Sequence, residues 1–193
     1  MLNPKRNLFI ICFLMFSLNV FSQSNSPIIG YDKVVWGASI QAVTQAYPSI
    51  KEKTSSDASI GVREFIQSNV GNGIEARYFF FYNNKLYKVV VSYEEQREAV
   101  TAFIALSSKL VAVYGKFDKE NEYSAPSGDQ TAEYIDRIRY YNKDLTIILR
   151  GVDFRNQYNL LVDQVIVCVY FNPNIENDID VVKRKQKESS FGL

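Results

Sequence analysis

Residues 77–93 read RYFFFYNNKLYKVVVSY, and this stretch decides the fold of the chain. Consecutive aromatic residues precede Asn83 and Asn84, and a valine-rich run follows them; both residue types favour β-strands. The two asparagines tolerate the left-handed backbone that a tight hairpin turn requires. The stretch therefore predicts a β-hairpin in which Phe81 lies opposite Leu86.

A second hairpin of similar sequence is predicted further along the chain. The segment YNKDLTIIL (141–149) aligns with YNNKLYKVV (82–90), 59 positions earlier. A helical pattern precedes each hairpin, so we predict an internal duplication. The predicted fold is α+β, with two pseudo-repeated helix-plus-antiparallel-sheet halves, residues 28–93 and 94–174, in the order α-βββ-α-βββ. A single cystatin-like sheet wrapped on one long helix is the alternative architecture.

The long helix is predicted for residues 94–114, because apolar residues recur there at the helical spacing. Gly115 is the expected C-terminal cap. The polar segments 51–59 and 120–130 are predicted to be loops. The expected apolar stripe of the helix consists of Val100, Phe103, Ile104, Ser107, Leu110, Val111 and Tyr114.

The N-terminus has the pattern of a secretory signal peptide. Lys5 and Arg6 precede an apolar run, Leu8 to Val20, that is short for a membrane span, and Ser22 is small enough for a cleavage site. We therefore expect residues 1–22 to be removed and the protein to be periplasmic or secreted, with no transmembrane segment in the mature chain. An uncleaved anchor is the alternative.

Cys12 and the C-terminal segment give further expectations about anchoring and domain bounds. Cys12 lies inside the apolar run and is a poor lipidation site, so no lipid anchor is predicted. The α+β domain is expected to span residues 23–174. Residues 175–193 include the basic cluster KRKQK and are predicted to be a mobile basic tail.

Charge and cysteine content narrow the class of protein. The chain has 22 basic and 21 acidic residues, and two of the basic residues lie in the predicted signal peptide, which leaves a net charge of −1. A nearly neutral chain is not typical of nucleic-acid binders. Cys168 would be the single cysteine of the mature chain, so no intramolecular disulfide can form. We expect this thiol to be buried in a strand.

The absence of histidine removes several kinds of catalytic and metal site. A Ser-His-Asp or Cys-His arrangement is impossible, and the commonest metal ligand is missing. No metal or cofactor is therefore predicted. A hydrolase that uses two carboxylates needs no histidine. Asp136, Asp153 and Asp163 are the candidate acids for that alternative.

The order of motifs resembles known exported bacterial proteins. Trp36-Gly37-x-Ser39 is followed by Val43, by Tyr47-Pro48 and by the aromatic hairpin. In element order this is similar to the β-lactamase inhibitory proteins, which are built from tandem helix-and-sheet halves. It also resembles the small lipoproteins of the outer-membrane β-barrel assembly machinery. The first family is disulfide-stabilised and the second carries a lipidated cysteine, so no functional residue is transferred from either.

Side-chain alternation along the hairpins predicts a binding surface. In the second hairpin, Ile138, Tyr140, Leu145, Ile147 and Leu149 are expected to face a helix. The 59-residue offset then assigns Phe79, Phe81, Leu86 and Val90 to the core of the first hairpin, and Val89 and Val91 to its outer face. The predicted surface on the outer face consists of Tyr78, Phe80, Tyr82, Tyr87, Arg137, Arg139 and Arg150. The alternative is that another element covers these rings and makes them part of the core.

These patterns favour an exported, non-catalytic module that binds or inhibits a protein or another component of the cell envelope. Exposed aromatic and arginine side chains are typical of interaction surfaces. A carboxylate-based hydrolase is one alternative. A structural periplasmic protein held to a membrane by its basic tail is the other.

Overall fold

The structure, a computed structural model, describes residues 30–94 and 99–190. The predicted signal peptide and the glutamates Glu95 and Glu98 lie outside these residues. The helices are α1 (Ile40–Ala46), α2 (Ala99–Tyr114) and α3 (Pro173–Ser190). The strands are β1 (Gly30–Tyr31), β2 (Val34–Val35), β3 (Lys51–Lys53), β4 (Val62–Gly71), β5 (Ile74–Tyr82), β6 (Lys85–Tyr93), β7 (Lys119–Ser127), β8 (Gln130–Asn142), β9 (Leu145–Arg155) and β10 (Leu161–Phe171).

Eight of these strands form one antiparallel sheet in the order β3-β4-β5-β6-β10-β9-β8-β7, and β1 and β2 pair separately. The predicted α+β class is confirmed. The sheet is continuous, as in the single-sheet alternative, although both α1 and α2 pack on it. Strands β3 to β6 form one half of the sheet and β7 to β10 form the other. The two halves meet at the centre of the sheet, where β6 pairs with β10 and Val90 lies opposite Val169. The internal duplication stays a prediction.

Each half contributes four strands to the sheet rather than the predicted three. The extra strands, β3 and β7, fall in polar segments that the sequence assigned to loops. Both lie at the edges of the sheet, where one side of the strand faces solvent. Lysine-rich sequences are common in edge strands because they discourage pairing with other chains.

The predicted hairpin at residues 77–93 is confirmed, with Asn83 and Asn84 both at positive φ (49° and 60°). Phe81 pairs with Leu86, as expected, but a bulge follows and Phe80 pairs with Lys88. A one-residue shift moves every later side chain to the other face of the strand.

Because of this bulge, the predicted faces of three residues in the first hairpin were wrong. Val89 and Val91 were expected on the outer face, yet they lie in the core, where they are 0% and 1% exposed. Val90, expected in the core, lies on the outer face and is partly exposed.

The main core lies between the sheet and the two helices α1 and α2, on what we call the helix face. Phe79, Phe81 and Leu86 are fully buried there, as predicted. Leu145, Ile147, Leu149 and Cys168 are also fully buried on this face. In α2, Phe103 and Ser107 are buried, whereas Val100 and Ile104 are 68% and 54% exposed, so these two residues of the predicted stripe do not belong to the core.

The segment predicted to be a mobile tail is helical as far as Ser190. Asn172 is the N-cap of α3, since its Oδ1 accepts hydrogen bonds from the backbone N–H groups of Asn174 and Ile175. Ile179 is 1% exposed and packs against Val62 and Tyr87 on the sheet face opposite α1 and α2, which we call the open face. Beside the basic cluster, the sequence contains a helical repeat of apolar residues, Ile175, Ile179 and Val182, which the prediction of a mobile tail did not use.

Among residues 30–94 and 99–190, no helix is long and apolar enough to cross a membrane.

Candidate functional site

The two arginines of β8 lie on the helix face, not on the predicted outer face. A bulge at Tyr141 pairs Arg137 with Leu149 and Arg139 with Ile147. Ile138 and Tyr140, which were expected in the core, therefore lie on the open face. The sequence prediction assumed an uninterrupted hairpin, and one extra residue inverts the faces of β8.

Both arginines attach α2 to the sheet. Arg137 donates to Ser107 Oγ (2.8 Å) and to Glu120 (2.6 Å), and its guanidinium lies 5.1 Å from the centre of the Phe103 ring. Arg139 donates to the backbone carbonyl of Tyr114 at the C-terminal end of α2 (2.8 Å). A cation is favourable there because the last carbonyls of a helix carry partial negative charge. These contacts give both side chains a structural role.

Arg150 lies on the open face, as predicted, but it is paired. Its Nε and Nη2 each lie 2.7 Å from an oxygen of Asp136, whose side chain is 6% exposed. The hydrogen bonds that Arg150 donates to Asp136 raise the pKa of Arg150. The guanidinium also lies 5.5 Å from the centre of the Tyr134 ring. A bidentate, stacked arginine is a rigid part of the surface.

Three of the four predicted aromatic residues pack beneath α3. Tyr87 is 2% exposed and forms a small second core with Val62 and Ile179, against which Phe80 and Tyr82 also pack. Burial raises the pKa of Tyr87. The alternative in which another element covers the rings therefore holds for these three residues. Tyr78 belongs to neither core and stays partly exposed.

The seven residues of the predicted surface are thus distributed over three places: the helix face, the second core and the uncovered part of the open face. Their role in binding stays a prediction. Only Tyr78 and Arg150 are found in the uncovered part.

A different set of side chains forms a continuous apolar row across the open face. Directly paired residues from six successive strands contribute one side chain each. All six are partly exposed, and none belongs to either core cluster. At about 4.8 Å between strands, the row is about 24 Å long. We call it the central row, and it consists of Ile66, Tyr78, Val90, Val169, Ile148 and Ile138.

Ion pairs flank the middle of the central row, and the exposed lysines Lys51 and Lys119 lie next to its two ends. On the side of α3, Lys88 lies 2.8 Å from Glu176 and 5.3 Å from the centre of the Phe80 ring. On the other side, Arg150 is paired with Asp136. Near Tyr78, Lys53 lies 3.4 Å from Glu64. Tyr140, on the same face beside Ile138, is 57% exposed and extends the apolar surface.

The sequence contains a signal for this row that the alternation argument did not use. The segments KVVVS, TIILR and VIVCVY are apolar at consecutive positions, so both faces of β6, β9 and β10 carry apolar side chains. Such runs are typical of strands whose two faces are both covered. Here one face carries the core and the other is partly exposed.

The candidate acids of the hydrolase alternative are engaged in local contacts. Asp136 holds Arg150, and Asp153 accepts a hydrogen bond from Gln164 (2.9 Å). Asp163 is exposed and accepts from the backbone of Gln164 (2.8 Å). Within residues 30–94 and 99–190, no group of three acids or thiols is placed to hold a metal ion.

Comparison of the chain with protein-family models, with curated proteins and with solved structures gives no match. The function is therefore argued from the chain's own residues.

Proposed function

We propose that the protein is an exported binding module that attaches to another protein through the central row. The observation that supports this function is a row of six apolar side chains, about 24 Å long, on a sheet face that α3 covers only in part. Large exposed apolar patches tend to mark interaction sites. The export itself rests on the sequence of residues 1–22.

The chemistry of the row favours an apolar protein surface as the partner. The charged side chains beside its middle are paired with one another, whereas Lys51 and Lys119, next to its end residues Ile66 and Ile138, are exposed. A standard interface buries about 800 Å² on each partner, a patch roughly 28 Å across. The row has a comparable length and could form the apolar centre of such an interface.

Site-specific photo-crosslinking tests this function. A benzophenone amino acid in place of Tyr140 puts the reactive group on the open face with little change in size. The same replacement at Tyr158, which is 74% exposed on a loop, is the matched control. After irradiation in cells, we expect one defined crosslinked protein from position 140 and none from position 158. Equal crosslinking at both positions, or none at either, contradicts the proposal.

Variants of the same face link the crosslinked protein to the row. Tyr140→Glu adds a charge beside Ile138 and should abolish capture, whereas Val113→Glu adds the same charge to an exposed position of α2 and should not. The purified partner should then bind the wild-type protein and not Tyr140→Glu in a direct titration. A wild-type protein that is a dimer in ultracentrifugation and a monomer as Tyr140→Glu would make the partner a second copy of the chain, which overturns the proposal.

A further inference from the structure

A cavity of about 400 Å³ lies on the helix face, beside the described start of α2. Its walls come from α2 and from strands β7 to β10. Phe103 and Ile166 form its floor, and Val100 and Ile135 stand at its mouth. Its volume is within the range of small-molecule sites. The central row is on the opposite face, so this cavity is separate from the proposed protein-binding surface.

Gly151 of β9 lets the Phe103 ring pack close to the sheet at the cavity. Gly151 lies beneath the Phe103 ring, and a Cβ there would be 3.3 Å from that ring. Ile135 and Ile166 pair directly with Gly151 in the neighbouring strands. These three strand positions therefore make a hollow with an apolar floor.

Apolar side chains at the mouth remain in contact with water. Val100 is 68% exposed and Ile135 is 40% exposed. Covering them with an apolar group would remove this surface from water, which is favourable. The mouth therefore favours an apolar ligand.

The polar part of the lining is acidic. Glu122, Glu133 and Asp153 line the cavity. Arg155 lies 2.7 Å from Glu133 and 3.8 Å from Asp153. Counting residues 30–94 and 99–190 alone, one guanidinium faces three carboxylates, a formal excess of two negative charges. Gln164 donates one hydrogen bond to Asp153 and adds no charge.

We propose that this cavity binds a compact apolar cation, that is, an aromatic or aliphatic group carrying an amine. The apolar part would lie on Phe103 and Ile135, and the ammonium group would lie among Glu133 and Asp153. An ammonium donates up to three hydrogen bonds and compensates the excess negative charge. An anion of the same size would meet the carboxylates and be repelled.

Two probes of equal size and opposite charge test the proposal. Phenethylamine and 3-phenylpropionate carry the same ring on a two-carbon chain, and each is titrated into the ¹⁵N-labelled protein. We expect phenethylamine to shift the amide signals of Ile135, Gly151 and Ile166 saturably. We expect 3-phenylpropionate to bind about tenfold more weakly, or not at all. Equal affinities, or no saturable shift with phenethylamine, overturn the proposal.

Variants with matched controls place the binding in the cavity. Ile135→Trp should fill the mouth and abolish the shifts, whereas Val113→Trp places the same ring at an exposed site on α2, away from the cavity. Glu133→Gln should weaken phenethylamine binding about tenfold, whereas Glu188→Gln removes an equal charge from an exposed position of α3, on the opposite face of the sheet, and should leave it unchanged. Phenethylamine binding that survives both Ile135→Trp and Glu133→Gln places the ligand elsewhere and overturns the proposal. All these outcomes are independent of the central row.

Discussion

At the scale of single residues, the pair Arg150–Asp136 has very unequal burial. The Asp136 side chain is 6% exposed and the Arg150 side chain is 32% exposed. Removing one member leaves the other without its partner, and the cost depends on how well water reaches the group that remains. The two members of the pair should therefore differ in what their removal costs.

We expect Arg150→Met to destabilise the protein more than Asp136→Asn does. Arg150→Met leaves a buried carboxylate unpaired and should lower the free energy of unfolding by about 3 kcal/mol. Asp136→Asn leaves a guanidinium that water can reach and should cost about 1–2 kcal/mol. Urea denaturation of both variants measures the difference. The reverse order would show that the guanidinium depends on the pair more than the carboxylate does.

Buried thiol and phenol groups make stability sensitive to alkaline pH. Burial raises the pKa of the Cys168 thiol from 9.0 to about 12 and that of Tyr114 from 10.0 to about 12. Both groups are neutral in their protonated form, so the folded state holds a proton that the unfolded state releases first. Their contribution is fully present below pH 9 and is lost as the pH rises toward 12.

The free energy of unfolding should therefore fall steadily between pH 9 and 11, inside the window set by these pKa values. Cys168→Ala removes the thiol part and should give a shallower slope, although the smaller side chain lowers stability at every pH. Denaturant titrations at a series of pH values measure both slopes. Identical slopes for the two proteins would mean that the thiol does not contribute.

At the scale of elements, α3 is attached to the sheet by few apolar side chains. Ile179 is 1% exposed. Two ion pairs, Lys88–Glu176 and Lys183–Asp57, also link α3 to the rest of the protein. Partly exposed ion pairs stabilise weakly, so the isoleucine should carry most of the attachment. Its truncation is expected to free the helix from Tyr87.

Ile179→Ala should cost about 2–4 kcal/mol in the free energy of unfolding, as for other buried aliphatic truncations. Val181→Ala, at a 39% exposed position of the same helix, is the control and should change it by about 0.5 kcal/mol or less. Hydrogen exchange should show faster exchange within α3 of Ile179→Ala alone. An Ile179→Ala protein as stable as Val181→Ala would support the mobile tail expected from the sequence.

Local sequence predicted the elements better than it predicted their faces. Asn83 and Asn84 predicted the first hairpin because its tight turn requires a left-handed backbone, which asparagine tolerates. The bulges at Tyr87 and Tyr141 have no comparable signature, since they follow from how neighbouring strands pair. Each bulge exchanged the two faces of a strand, and Arg137 and Arg139 were assigned to the wrong side. The apolar runs that supply the central row are visible in the sequence, but their alignment into one row is not, because it joins strands that are distant in the chain.

At the scale of the whole molecule, the seam between β6 and β10 unites the two runs of strands. Val89 and Val91 on one side and Cys168 on the other are all buried in the same core. Separating the halves would expose these side chains and the unpaired edges of both central strands. Unpaired, apolar edge strands aggregate readily. Residues 28–93 alone are therefore not expected to fold as a soluble unit.

The chain of residues 23–193 should instead unfold in one cooperative step, and it carries a probe in each half. Trp36 is the only tryptophan and reports on the first half by fluorescence. Cys168 in β10 reports on the second, because a thiol reagent reaches it only after unfolding. We expect both probes to give the same urea midpoint. In Val89→Pro, which removes a backbone donor from the β6–β10 seam, the two midpoints should separate. Separate midpoints in the wild-type protein would mean that each half is stable without the other.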